Sequence, residues 1–152
     1  MGEISIRRME PGDAEAAARL STDLGYPATT EEIEERLTDL LPREKHEVLV
    51  AELEGAVVGW IHVQDSRLLV ERPRADITGL VVDGEARRAG VGRALVEAAE
   101  RWAIERGADR IRVRSNVIRE DAHAFYPALG FVVAKTSTTF QKRLLGREGH
   151  MD

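Results

Sequence analysis

Asp83-Gly84-Glu85-Ala86-Arg87-Arg88-Ala89-Gly90-Val91-Gly92-Arg93 follows an apolar run (Ile77, Leu80, Val81, Val82) and precedes a strongly periodic stretch. The run reads as a buried strand and the periodic stretch as a helix. A strand-to-helix turn with glycines and three arginines suits a polyphosphate. Glycines let backbone amides approach closely, first-turn N–H groups lack intrahelical partners, and the helix dipole and arginines favour negative charge. A Walker loop is excluded because Gly-Lys-Ser/Thr is absent, and a dinucleotide fingerprint because Leu95 stands where its third glycine belongs. The alternative is an ordinary turn with a solvated basic edge.

Working outward, Gly90 to about Arg106 forms the helix, with Val91, Leu95, Val96, Ala99 and Trp102-Ala103 on one apolar face and Gly107 as its stop. Upstream, Ile4–Arg7 alternates as a first strand. Asp13 is the expected N-cap of a helix ending near Gly25. Thr29 and Glu32 have capping-box spacing for a second helix, which Pro42 ends. Strands 48–53 and 57–63 flank Glu54-Gly55, a hairpin dipeptide, and 65–74 reads as a loop before the strand Asp76–Val82. Downstream come a strand at Ile111–Arg114, a helix from about Glu120 to Leu129, and two closing strands, Phe131–Lys135 and Thr138–Arg143. This order implies one α/β domain over residues 3–145, a mixed sheet covered by helices, with a loose tail at 146–152.

The 152 residues suffice for one substantial core. No apolar run has the length of a membrane span, and Met1-Gly2-Glu3-Ile4 does not open a signal peptide, so cytoplasm is the expected location and no membrane partner is expected. There is no cysteine for a disulfide, thiolate nucleophile or thiolate metal site, and His46, His62, His123 and His150 lack ligand spacing, so no metal is expected. Residues 1–83 hold 9 basic against 18 acidic side chains, and residues 84–145 hold 12 against 7. The basic half suits an anionic cofactor and the acidic half a cationic substrate, although Glu31, Glu32, Glu34 and Glu35 also serve simply to solvate a helix start. The acidic total argues against nucleic acid as main partner.

Two motifs resemble the GNAT N-acetyltransferase superfamily over about Ile4–Leu144. Arg87-Arg88-Ala89-Gly90-Val91-Gly92, after Leu80-Val81-Val82-Asp83, resembles its Arg/Gln-x-x-Gly-x-Gly/Ala loop. Ala122-x-x-Phe125-Tyr126-x-x-x-Gly130-Phe131 resembles its second signature. The resemblance implies a mostly antiparallel sheet of six to seven strands with splayed centre, flanked by four helices. It implies acetyl-CoA as acetyl donor, with the pyrophosphate on the turn Arg87, Arg88, Ala89, Gly90, Val91, Gly92 and Arg93. The pantetheine arm would lie along Leu80, Val81 and Val82, which splay from Ile111–Val113. Tyr126 would be the general acid that protonates the leaving thiolate. Asp76 would be the general base, one methylene shorter than the glutamate that related enzymes often carry. Thr78, two residues on, would position a water, and His62 is a weaker base candidate. The spacing Asn116-x-x-Arg119-x-x-Ala122-His123 is similar to a branch that includes aminoalkylphosphonate acetyltransferases and makes Asn116 and Arg119 candidate cofactor contacts. An alkylammonium with a pKa of about 10.4 must lose a proton before attack. Without cysteine a thiol-linked acyl-enzyme is impossible, which favours direct transfer in a ternary complex. The expected acceptor is a primary amine, of a small molecule by first choice, then of a protein N-terminus or lysine, or of an aminoglycoside. The different reading is a CoA-binding sensor without turnover. A homodimer is compatible with this fold.

Overall fold

The computed structural model describes residues 2–114 and 120–146. The chain divides into two compact units, Met1–Arg114 and Ser115–Asp152.

In the first unit the order is β1 (Ile4–Arg8), α1 (Ala14–Asp23), α2 (Thr30–Leu40), β2 (His46–Leu53), β3 (Ala56–Ser66), β4 (Arg74–Val82), α3 (Val91–Glu105) and β5 (Ile111–Val113). The five strands form one sheet in the order β1-β2-β3-β4-β5, antiparallel except for the parallel β4–β5 pair. The β2–β3 hairpin turns on Glu54-Gly55, both at positive φ as a tight primed turn requires. α2 begins with the expected capping box. The Glu32 N–H donates to Thr29 Oγ1 at 3.1 Å and the Thr29 N–H to Glu32 Oε1 at 2.9 Å.

Three helices end alike. The Tyr26, Ala108 and Phe131 N–H groups reach back five residues, to the Ser21, Ala103 and Tyr126 carbonyls. The Gly25, Gly107 and Gly130 N–H groups reach back three. This is the Schellman arrangement that the glycine positions announce.

Two residues disturb the ladders and decide which side chains share a face. Ala51 pairs with Gly59 but Glu52 with Val57, so Val58 is an extra residue in β3. His62 pairs with Gly79 but Val63 with Ile77, so Thr78 is an extra residue in β4. Gly59, Ile61 and Val63 therefore face α3. A Cβ on Gly59 would lie 3.2 Å from both Leu95 and Val91 side chains, so the missing side chain is what lets α3 seat closely. Trp60, His62 and Gln64 face the other way. There Trp60 packs on a cluster of Met9, Ala17, Leu37 and Val50 that joins α1 and α2 to the sheet. The Trp60 indole occupies the space above Gly79, where a Cβ would come within 2.8 Å of the ring. Its Nε1 is buried without a partner among the described residues.

Three expectations need correction. Asp13 sits at the N-cap position of α1 without capping it. Its carboxylate instead accepts two bonds from Arg7, each at 2.8 Å, and one from the Glu10 N–H at 2.7 Å. The Arg7 guanidinium is also the main reason its carboxyl is held below the usual aspartate range. The expected loop at 65–74 is shorter, because the β3–β4 ladder runs on through Asp65↔Ala75 and Ser66↔Arg74. Polar residues persist there because each finds a partner. The sheet has five strands rather than six to seven. Phe131–Lys135 and Thr138–Arg143 carry no strand, since a strand needs a neighbouring edge as well as alternation and no described residue supplies that ladder.

The second unit contains α4 (Glu120–Ala128), on which the Tyr126 ring meets Phe125 and Phe131 edge-on at centroid distances of 5.0 and 5.6 Å.

Gly79→Ala is expected to lower unfolding free energy by about 1–3 kcal/mol, because the packed Trp60 ring must move. A denaturant midpoint equal to the parent's would show that the ring yields freely.

Candidate active site

The ladder between β4 and β5 holds only Ala75↔Ile111, Asp76↔Arg112 and Ile77↔Val113. β4 continues to Val82, so among the described residues 78–82 has no strand beside its outer edge. Buried or not, those backbone groups need partners. An extended chain lying there would find them, and this is the place that the sequence assigned to the pantetheine arm.

At the end of β4 the Asp83 N–H donates to the carbonyl of Val58, the extra residue of β3, at 2.8 Å. Asp83 then organises the turn. Its carbonyl accepts from the Ala86 N–H at 2.9 Å and its Oδ1 from the Glu85 N–H at 3.1 Å. A short 3-10 turn spans Ala86–Ala89, and Gly90 follows at φ +85°, a conformation that side chains rarely adopt. A Cβ at Gly90 would meet nothing within 4 Å, so it is the backbone conformation that asks for glycine here. α3 has no side-chain cap and no acid in its first turn, and its first internal bond runs from the Ala94 N–H to the Gly90 carbonyl. α2 presents the contrast, with Glu31 and Glu32 in its first turn and a full box. The N-terminus of α3 is thus left electropositive, with Arg93 exposed beside it and 3.8 Å from Glu97.

Asp76 lies opposite Gln64 on the face that carries His62 and Gly79. Its Oδ1 accepts from Arg74 Nε at 3.0 Å and its Oδ2 from Ser66 Oγ. Arg74 is also bound by Glu71, which reaches Arg112 at 3.5 Å. A carboxylate has about four acceptor positions, so two of those on Asp76 remain. Thr78 is not the water-holding neighbour that a period of two implied. As the extra residue of the bulge it turns its hydroxyl to the His62 carbonyl, at 3.2 Å. His62 is half-buried, with Nε2 2.9 Å from His46 Nδ1. Burial, then the nearby His46, pushes its pKa down to about 4.

Of the residues singled out in the sequence, Asp76, Leu80, Val81, Val82 and the turn 87–93 come together on β4 and the start of α3. Tyr126 belongs to the second unit, while Asn116 and Arg119 lie outside the described residues. The partners of Asp76 and of His62 were missed because both depend on strand register. A surface depression of about 400 Å³ between α1 and α2 is lined by Glu15, Arg19, Thr22 and Asp23 among others, none of them from β4 or α3.

The sequence profile of the Acetyltransferase (GNAT) family matches residues 15–131. The chain belongs to the GNAT acetyltransferase family. It is 30% identical over 131 residues to the aminoglycoside N(6')-acetyltransferase type 1 of Stenotrophomonas maltophilia, covering 84% of this chain and 85% of that one. It is 34% identical over 93 residues to human N-acetyltransferase 8, covering 60% of this GNAT chain but 40% of the human protein. Among solved structures, a transcriptional regulator from Bacillus halodurans superposes with a TM-score of 0.84 at 25% identity, over 92% of this chain and all of that one. An aminoglycoside N-acetyltransferase crystallised with CoA gives 0.84 at 18% identity, over 94% and 97%, a likeness of fold.

Because His62 is depressed, the unfolded chain binds more protons than the folded one between about pH 6.5 and pH 4. Stability contributed by neutral His62 is therefore complete above pH 6.5 and lost as pH falls toward 4. With solvent still reaching the ring, the loss is on the order of 2 kcal/mol. His62→Gln should flatten that part of a stability–pH curve, and an equally steep curve in the variant would assign the loss to other groups.

Proposed function

We propose that this chain is an acetyl-CoA-dependent N-acetyltransferase acting on a primary amine of a small molecule, by direct attack in a ternary complex. The observation that carries the reading is an outer edge of β4 with no strand beside it among the described residues, joined directly to an uncapped, acid-free helix start. In this reading the backbone N–H groups from Arg88 to Arg93 hold the pyrophosphate, and Arg87 and Arg93 add charge. Leu80, Val81 and Val82 receive the pantetheine arm. Asn116 and Arg119 complete the cofactor contacts, and the family match across both units supports residues 3–145 acting as one domain.

Acetyl-CoA supplies the thioester carbonyl. This chain's own residues orient it, stabilise charge on its oxygen through main-chain N–H donors of the bulged strand, and manage protons. Asp76 attracts the acceptor ammonium with its remaining lone pairs and serves as its base directly or through water. Tyr126 protonates the departing sulfur, and edge contacts with Phe125 and Phe131 orient its ring. With no cysteine in the sequence, the acetyl group passes straight to the amine.

An aminoglycoside is the second reading. The Stenotrophomonas relative favours it, as do Glu31, Glu32, Glu34, Glu35 and Asp39 on α2, which suit a polycation.

The test is release of free thiol from acetyl-CoA with a panel of simple amines and aminoglycosides. Acceleration by at least one amine is expected; binding of acetyl-CoA without acceleration by any would leave a CoA-binding module. Gly90→Glu should abolish acetyl-CoA binding measured by calorimetry, by straining the turn and placing like charge at the phosphates. A normal dissociation constant in a folded variant would refute the turn's assignment. Tyr126→Phe should lower kcat about 10²-fold with cofactor binding retained, and an unchanged kcat would remove Tyr126 as the acid.

A further inference from the structure

One pair of side chains on the acceptor-facing strands has no part in that reading. His46 opens β2 and His62 lies within β3, each in the row that the strand register turns toward Asp76 and Gly79. Their rings are 5.1 Å apart and inclined by 40°, and the Nδ1–Nε2 separation of 2.9 Å is that of a hydrogen bond. Such a bond needs one nitrogen with a proton and one without. The outer nitrogens, Nδ1 of His62 and Nε2 of His46, make no hydrogen bond among the described residues. The pair is thus a short chain with two open ends. One end lies on the face of Asp76; the other follows the exposed turn of residues 42–45.

We propose that His62 and His46 form a two-imidazole relay that carries the proton lost by the acceptor ammonium away from the reacting face of the sheet. The inference rests on the acetyltransferase reading above. An amine that enters as an ammonium must shed two protons when its N–C bond forms and the C–S bond breaks. One ends on sulfur, through the general acid. The other has to leave the site. In the relay, His62 Nδ1 takes that proton on from Asp76 or its water while its Nε2–H passes to His46 Nδ1, and the His46 Nε2–H goes to water. Both rings begin and end neutral with tautomers exchanged, and exchange with water resets them.

The surroundings suit transfer better than storage. A half-buried imidazole beside a second imidazole does not hold positive charge, and the depressed value of His62 expresses this. The charged groups on the neighbouring strand, Asp76 and Arg74, are already paired with each other at 3.0 Å. Asp76, with two acceptor positions filled, orients the ammonium and takes its proton with those that remain, and the histidines provide that proton with an exit.

The experiment uses the full chain, acetyl-CoA and the best amine from the thiol-release panel. His62→Gln and His46→Gln should each lower kcat at least about tenfold, with the KM for acetyl-CoA within about twofold of the parent and an unchanged melting temperature at pH 8. In His62→Gly, added imidazole should restore several-fold of the lost rate, which a merely structural role would not permit. Parental kcat in both glutamine variants overturns the relay, as does a loss confined to KM. Should His62→Gln fail to fold, His46→Gln at the outer end decides alone. A parent protein that binds acetyl-CoA and turns over no amine overturns the acetyltransferase reading itself, an outcome distinct from an active parent with unaffected variants.

Discussion

Backbone N–H and C=O groups must be paired, and on β4 the sheet stops pairing them halfway. β5 ends at Val113 opposite Ile77, while β4 runs on for five residues, with no strand beside their outer edge among the described residues, before Asp83 folds the chain into the turn. An edge of that kind invites another strand-like chain. What distinguishes it from a simple sheet edge is its continuation into a helix start with no cap and no acid. Gly59 admits α3 close to β3, and the Asp83–Val58 hydrogen bond fixes where the turn departs. Edge, turn and helix N-terminus thereby form one continuous surface of donors. In the proposed reading, an extended amide-containing arm would lie along that edge and its phosphates at the helix start.

The two extra residues in the ladders have consequences well beyond their own positions. Were Val58 paired in the ladder instead of bulged, His62 would stand opposite Glu47 and His46 opposite Val63, on the α3 side of the sheet. Were Thr78 paired with His62 instead of bulged, the apolar and polar rows of β4 from Gly79 onward would exchange faces. The bulges hold Ile61 and Val63 toward α3 and collect His46, His62, Gln64 and Asp76 on the opposite face. The Trp60 indole closes this arrangement by lying over Gly79, leaving its own N–H buried without a partner among the described residues.

Much of the fold was legible residue by residue. Gly25, Gly107 and Gly130 mark three helix ends, Thr29 and Glu32 one helix start, and Glu54-Gly55 a hairpin, because each signal is local and acts through hydrogen bonds a few residues long. Asp13 misled for the opposite reason. Its carboxylate had a cap within reach but was taken by Arg7, a bidentate charged partner on another element. The segment 131–143 alternates well enough for strands, yet alternation describes only one of the two chains that a ladder needs.

Sequence alone was enough for the order of elements from β1 to α4, the turn with Gly90 at its pivot, and the family, since glycine conformation, apolar period and helix polarity are properties of short stretches. Only the tertiary structure decided that β5 parts from β4 at Ile77, that Asp76 is held by Arg74 and Ser66, and that two histidines sixteen residues apart meet. Those outcomes turn on register. A single inserted residue flips every side chain after it, and the register is chosen by packing across the whole sheet, by α3 on Gly59 and Trp60 on Gly79, rather than by the residues at the bulge themselves.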